Sequence, residues 1–179
     1  IFHFPKPYIS IWDGLVMGGG MGISVHGSYR IVSEKALCAM PETSIGYFPD
    51  VGASYFLQQC PGQIGLYLGL TGLSIHSFDI LFTGLGTHFV SSHDIPDFLV
   101  NLQLSGLEKT IKKLYGGPDG NASIKDTKAE IDRIFRMDDL DHIFHCLEET
   151  RSNFAKHTLA ILKSRSLLSL RETFRLFQR

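Results

Sequence analysis

The stretch LVMGGGMGISVHG, residues 15–27, sets three consecutive glycines between an apolar run and a small-residue run of helical character. Glycine in regular structure costs about 0.5–1 kcal/mol relative to alanine. Three together, with Gly22 and Gly27 close behind, therefore ask for a reason. A glycine-rich turn from strand to helix aims backbone N–H groups outward with no Cβ in front of them, and the helix start adds partial positive charge. That arrangement suits an anion: a phosphate, or the oxyanion of acyl transfer. GGGMG is neither the phosphate loop GxxxxGK[ST] nor a full GxGxxG turn, because residue 23 is Ile, so neither a triphosphate site nor a Rossmann site is indicated. Composition leaves tight backbone packing and an oxyanion hole both open.

Outward from the glycines the chain alternates strand and helix signals. PYISIW (residues 7–12) is β-rich and closes on the turn signal Asp13-Gly14. A short helix is predicted over residues 21–26. YRIVSE (29–34) and ALCAM (36–40) read as short strands, the second ended by Pro41. VGASYFLQQC (51–60), IGLYLGLTG (64–72) and HSFDILFTG (76–84) read as helices, and THFV (87–90) as a strand. This is an α/β pattern with a buried texture. Beyond it charge rises and helical periodicity takes over. Leu140, Ile143, Phe144 and Leu147 form one apolar stripe, and Leu167, Leu170, Phe174 and Phe177 another. GGPDGN (116–121) reads as a loop. The expected division is residues 1–93 as an α/β core and 94–179 as a helical region.

Two acids stand out in AMPETSIGYFPDVGASY (39–55). Glu42 follows Pro41 at the end of an apolar strand, and Asp50 follows Pro49 eight residues later. Charge is sparse there, and a carboxylate in apolar surroundings is expensive unless it is used or paired. Its pKa can rise, fitting it for acid, base or nucleophile work. Each also precedes a helical run, so a capping role stands as the structural alternative, most strongly for Asp50. The histidines show no metal-ligand pattern. His26 reads as a core or capping residue, and His142, His145 and His157 are unmatched by acids at ligand spacing. Gly-x-Ser-x-Gly is absent.

Bulk properties bound the rest. The chain has 179 residues, is 44% hydrophobic and carries a formal net charge of −1, so one domain with a sizeable core is expected. Three widely spaced cysteines, Cys38, Cys60 and Cys146, fit a reducing compartment better than a disulfide framework. No apolar run is long enough to suggest a membrane span. Charge is uneven. Residues 151–179 hold 7 basic residues and 1 acidic, net +6. That tail reads as a solvated helix face or as a contact for phosphate or an acidic partner. The first residue is Ile1, with no initiator or targeting signal ahead of it, so a fragment or a processed chain is expected.

MGGG, SVHG, MPET with IGYFPDVG, and LGLTG together resemble the crotonase (enoyl-CoA hydratase/isomerase) superfamily. Within it they are most similar to the 3-hydroxyisobutyryl-CoA hydrolase branch, some of whose hydrolase-like members are built into mitochondrial ribosomes. The resemblance is dense from residue 6 to about residue 90 and continues more weakly through the helical half. It implies a partial crotonase-like ββα spiral followed by helices, with the family's N-terminal strands and last helices lying outside this chain. Gly19 would then donate a backbone N–H to the oxyanion hole, flanked by Gly18 and Gly20, while the family's second donor belongs to the N-terminal part. Hydratases carry a glutamate two places past the glycine triplet, where this chain has Gly22, as well as the one after proline, here Glu42. Asp50 stands where hydratases often have glycine. Ala53-Ser54 replace two further glycines.

Glu42 with Asp50 is the hydrolase pattern. By that resemblance Glu42 attacks the thioester or activates water, and Asp50 orients substrate or water and helps move protons. The implied function is hydrolysis of 3-hydroxyisobutyryl-CoA in mitochondrial valine breakdown. Coenzyme A enters as part of the substrate, with no metal or redox cofactor, no membrane, and a homo-oligomer left open. The alternative is a non-catalytic subunit of the mitochondrial small ribosomal subunit, with RNA and ribosomal proteins as partners. Residues 1–179 by themselves are expected to be inactive.

Overall fold

A computed structural model describes residues 1–114 and 121–178. Residues 116–120 of the expected loop lie outside the described residues. The first half is built from a repeated unit in which one strand enters each of two sheets before a helix returns the chain. β1 (Ile9–Trp12) lies in the first sheet, β2 (Leu15–Met17) in the second, and α1 (Gly19–Ser24) returns. β3 (Tyr29–Val32) and β4 (Leu37–Ala39) repeat the step, followed by a 3-10 turn Glu42–Ile45 and α2 (Ala53–Phe56), which runs into a second 3-10 turn Leu57–Gln59. α3 (Ile64–Thr71), β5 (Ile75–His76), α4 (Ser77–Phe82) and β6 (His88–Phe89) complete the core.

The first sheet has the order β1-β3-β6, parallel throughout, with Ile9 opposite Tyr29 and Ile31 opposite His88. The second has the order β2-β4-β5. There Leu15 is opposite Leu37 in parallel, and Cys38 opposite Ile75 in antiparallel. Successive units are stitched at their corners. The Leu37 N–H donates to the Gly14 carbonyl (3.0 Å), and the Ser33 hydroxyl donates to the Asp13 carboxylate (2.5 Å). The Asp13-Gly14 turn thus carries the chain between the two sheets.

α3 reads as apolar on every side because every side is covered: all eight residues are buried. Its glycines allow this. A Cβ on Gly65 would lie 1.9 Å from the Leu57 carbonyl oxygen, and one on Gly69 would lie 3.0 Å from the Phe177 ring. The helical half follows as α5 (Ile95–Ser105), α6 (Leu107–Lys112), α7 (Ser123–Ile134), α8 (Leu140–Glu149), α9 (Asn153–Lys163) and α10 (Leu167–Phe177). One apolar cluster runs from Trp12 in β1 through α3 to Ile143 and Leu147 in α8 and Leu170 and Phe174 in α10. The two periodic stripes are the inner faces of α8 and α10, except that Leu167, at the head of the second, is exposed.

Two polar ties fasten the helices to the core. The N-cap of α7 is Ala122, whose methyl group cannot accept a hydrogen bond. Asp79 of α4 does so from across the fold, its carboxylate accepting from the Ile124 N–H and the Ser123 hydroxyl, both at 2.9 Å. Arg165 donates from Nε (3.0 Å) and Nη2 (2.8 Å) to the Thr71 carbonyl at the end of α3. Asp79→Ala is expected to lower unfolding free energy by about 1–3 kcal/mol, because it leaves a buried helix start without its charged acceptor. Urea denaturation checks this; an unchanged midpoint would mean that α7 caps itself.

Several boundaries moved from their predicted positions. α1 starts at Gly19 rather than residue 21, which puts Gly19 and Gly20 in its first turn. The helix expected from residue 51 starts at Ala53, because Val51 and Gly52 take positive φ, and it tightens to a 3-10 turn after four residues. His76 pairs in β5, so α4 starts one residue later than expected.

Candidate active site

Gly18 closes β2 in a conformation no other residue adopts cheaply, φ 51° and ψ −122°, and serves as the N-cap of α1. It turns the chain so that Gly19 and Gly20 follow as the first helical residues, both exposed. Their N–H groups precede the first i→i−4 bond, Gly22 N–H to the Gly18 carbonyl at 3.1 Å, so no acceptor of the helix takes them. A Cβ on Gly19 or Gly20 would meet nothing within 4 Å. The glycine pair is therefore bare because the space in front of it is open, not because the interior crowds it.

Glu42 reaches the same turn from the other side. Its Oε1 lies 3.3 Å from the position a Cβ on Gly18 would occupy. Glu42 is 8% exposed, and no group among the described residues bonds its buried Oε2. Burial pushes its carboxyl above the usual range; a hydrogen bond from its own backbone N–H pulls the other way, and the negative charge of Asp50 adds to the rise. The 3-10 turn that presents it is clamped from behind. The Thr43 hydroxyl donates to the Leu70 carbonyl at 3.1 Å, and Gly72 packs against Pro41 and Thr43.

Asp50 is exposed and close enough for its charge to be felt at Glu42. It does not cap α2 with its side chain. The N-cap is Gly52, with φ 83° and no side-chain hydrogen bond; Asp50 contributes only its carbonyl, which accepts from the Ala53 N–H at 2.8 Å. Glu42 is likewise the first residue of its turn, with Pro41 at the cap position. Among the described residues neither acid takes part in an ion pair.

The fold thus brings together Gly18, Gly19, Gly20, Glu42 and Asp50, from three separate segments of the chain. It leaves His26 outside, packed edge-on to the Phe2 and Phe56 rings. His142 pairs with Asp139 at 3.0 Å on α8. No group of three or more His, Cys, Asp or Glu side chains that could hold a metal exists among the described residues. None of their helices is long and apolar enough to cross a membrane. One neighbour of the site went unpredicted. Val51 stands at φ 45° with its side chain against the α-carbon of Gly22. A valine in that conformation leaves no signal in sequence, since β-branched residues avoid it.

This constellation is a carboxylate held beside free backbone donors on a ββα spiral. A family profile described as enoyl-CoA hydratase/isomerase matches residues 1–179. The chain belongs to the enoyl-CoA hydratase/isomerase family. Its fold agrees. A carnitinyl-CoA dehydratase from Mycobacterium thermoresistibile superposes with a TM-score of 0.92 at 31% identity, over 100% of this chain and 54% of its own. An enoyl-CoA hydratase from Rhodobacter sphaeroides 2.4.1 gives 0.91 at 37%, over 100% and 51%. Among curated proteins, the mitochondrial 3-hydroxyisobutyryl-CoA hydrolase of Xenopus tropicalis is 40% identical, over 96% of this chain and 47% of its own length. The small ribosomal subunit protein mS47 of Neurospora crassa is 36% identical, over 98% and 39%. The chain spans about half the length of the curated relatives it matches or less. Enoyl-CoA hydratase/isomerase relatives therefore include both hydrolases and ribosomal subunits at comparable similarity, and the chain's crotonase fold is common ground for both.

Proposed function

We propose that the whole protein carrying this chain is a mitochondrial acyl-CoA thioester hydrolase that converts 3-hydroxyisobutyryl-CoA to 3-hydroxyisobutyrate and coenzyme A in valine breakdown. The observation that carries the reading is the buried Glu42 carboxylate, its Oε2 without a hydrogen-bond partner among the described residues, set against the turn that bares the Gly19 and Gly20 N–H groups. Similarity to mitochondrial 3-hydroxyisobutyryl-CoA hydrolases supports the substrate and the compartment. Coenzyme A arrives with the substrate, and the reaction calls for no metal or redox group.

The thioester carbonyl oxygen points at the Gly19 N–H, where a fixed donor stabilises the oxyanion without reorganising in the transition state. Glu42 accepts a proton from water as the water oxygen bonds to the carbonyl carbon. The tetrahedral oxyanion then collapses, the C–S bond breaks, and the departing sulfur takes the proton back from Glu42. A carboxyl pushed up by burial is a stronger base at neutral pH than an exposed one. Asp50, at the open side, orients the 3-hydroxyl or the attacking water. Hydrolysis of 3-hydroxyisobutyryl-CoA by the purified whole protein, followed by free-thiol release, tests the proposal; no release of thiol would sink it.

Asp50→Asn is expected to reduce kcat by about tenfold or more with an unchanged melting temperature, because the side chain is exposed and makes no hydrogen bond among the described residues. Removing that negative charge also makes ionised Glu42 cheaper, so the acid limb of the pH–rate profile is expected to move to lower pH. Normal kcat with an unshifted limb would remove Asp50 from the chemistry.

A second reading, an assembly role in the mitochondrial small ribosomal subunit, is supported by similarity to mS47 in Neurospora crassa and in Schizosaccharomyces pombe. The basic tail supports it less than its net charge suggests. Lys163 pairs with Glu148, Arg175 pairs with Glu172, and Arg165 is spent on the Thr71 carbonyl. Arg151, Lys156 and Arg171 remain exposed and outside any ion pair among the described residues. Sucrose gradients of mitochondrial extract at low and high salt separate the two readings. The hydrolase reading expects protein and thioesterase activity together at the top in both salts. Stoichiometric protein in the small-subunit peak, without activity and released by salt, would favour the ribosomal reading.

A further inference from the structure

Val51 is the one non-glycine residue with positive φ among the described residues, at 45°. Such backbone costs about 1–3 kcal/mol and persists only where the surroundings hold it. What holds it here is Gly22. A Cβ built on Gly22 would lie 2.5 Å from the Val51 Cβ and 2.8 Å and 3.1 Å from its two methyl carbons, so the isopropyl group is wedged onto bare backbone. Gly52 follows with φ 83°, which lets the chain leave the wedge directly into α2. The strained pair is not a sealed core contact, because Val51 keeps 40% of its surface exposed.

Position relative to the reacting centre gives the wedge its meaning. Gly22 stacks one helical turn beyond Gly18, joined to it by the 3.1 Å hydrogen bond, and residues four apart stand about 5–6 Å from one another. At the first of these turns α1 meets the Glu42 carboxylate; at the next it meets the Val51 isopropyl group. Val51 also follows Asp50 directly in the chain. An acyl group whose carbonyl sits at the Gly19 N–H beside Glu42 therefore meets, one turn along α1, an apolar wall with Gly22 directly behind it.

We propose that Val51 is a specificity-determining residue whose isopropyl group, wedged on Gly22, limits the bulk of the acyl chain that the site accepts. The proposal rests on the acyl-CoA reading above and deepens it, assigning the preference for short acyl groups to one side chain. Removing the two methyl groups opens room for about one to two more carbons, and differences of a methylene in an apolar pocket discriminate by about 10–200-fold.

The test uses the whole protein, wild type and the variants Val51→Ala and Val51→Gly. The first shortens the wall; the second also relieves the positive φ and keeps the test open if the alanine variant folds poorly. The readout is the ratio of kcat/KM for a straight eight-carbon acyl-CoA to that for 3-hydroxyisobutyryl-CoA. The ratio of Kd values for the same two thioesters is measured in parallel by calorimetry in a Glu42→Gln background, where no turnover is needed. Both ratios are expected to shift about tenfold towards the longer chain in either variant. Ratios unchanged within twofold would overturn the proposal. If the wild type releases no thiol, the hydrolase reading fails while the Kd ratio still reports on the wall. No binding of either thioester would overturn both.

Discussion

Glu42→Gln in the whole protein is expected to lower kcat for thioester hydrolysis by at least about 10²-fold, the lower end for removing an acid–base group. KM should change little, because the substitution preserves shape and the carbonyl donors lie on α1. The same variant is expected to be more stable than wild type at neutral pH. Burial raises the Glu42 pKa in the folded state above its unfolded value. Stability from the protonated form is therefore fully present below the ordinary carboxylate range and is lost as pH climbs through the raised pKa. Glutamine carries no charge to desolvate, so its advantage in melting temperature should grow across that interval and then level off. A loss of activity paired with a gain in stability is the signature of a group kept for chemistry at the expense of the fold. Activity within a few-fold of wild type, or a melting-temperature difference that does not vary with pH, would return Glu42 to a structural role.

Gly65→Ala is expected to be the most damaging conservative change in the core. The added Cβ would stand 1.9 Å from the Leu57 carbonyl oxygen, which is backbone and cannot swing aside. α3 has no free side to shift towards, since every one of its residues is buried. Overpacking of this kind costs about 3 kcal/mol or more, at or above the usual range. That is a large share of the 5–15 kcal/mol, roughly, by which a domain is stable. Gly14→Ala is the control. A Cβ there meets nothing within 4 Å, so the change should stay within about 0.5 kcal/mol. Urea midpoints for the two variants against wild type measure both. A Gly65→Ala midpoint equal to that of Gly14→Ala would show that α3 and the Leu57–Gln59 turn are not in close contact.

Much of the candidate site was legible in one dimension. A glycine triplet at a strand–helix junction and two acids in a charge-poor segment carry their chemistry in residue type and spacing, and the structure sets Glu42 against the glycine turn with the charge of Asp50 close enough to act on it. The strand–helix alternation and the inner faces of α8 and α10 were legible for a similar reason, since each is a local period that burial on one side imposes. Of the two roles sequence left open for Asp50, side-chain cap or functional acid, the first is removed by a backbone detail two residues away. Gly52 takes the cap position, and the Asp50 side chain makes no hydrogen bond among the described residues.

The sequence by itself determined the family pattern, the acids and the bare glycines, because those depend on which atoms are present and how far apart they lie along the chain. Tertiary structure decided what each neighbour does. It set Val51 on Gly22 in a conformation that valine's own preferences oppose, and it gave α7 its cap from Asp79, some 44 residues away. It turned Arg165 from a tail charge into a tie on α3, and it made a strand of Ile75–His76, two residues too short to show a period. Each of these is a contact between distant segments whose energy exists only once the spiral has closed, so no local propensity could announce it.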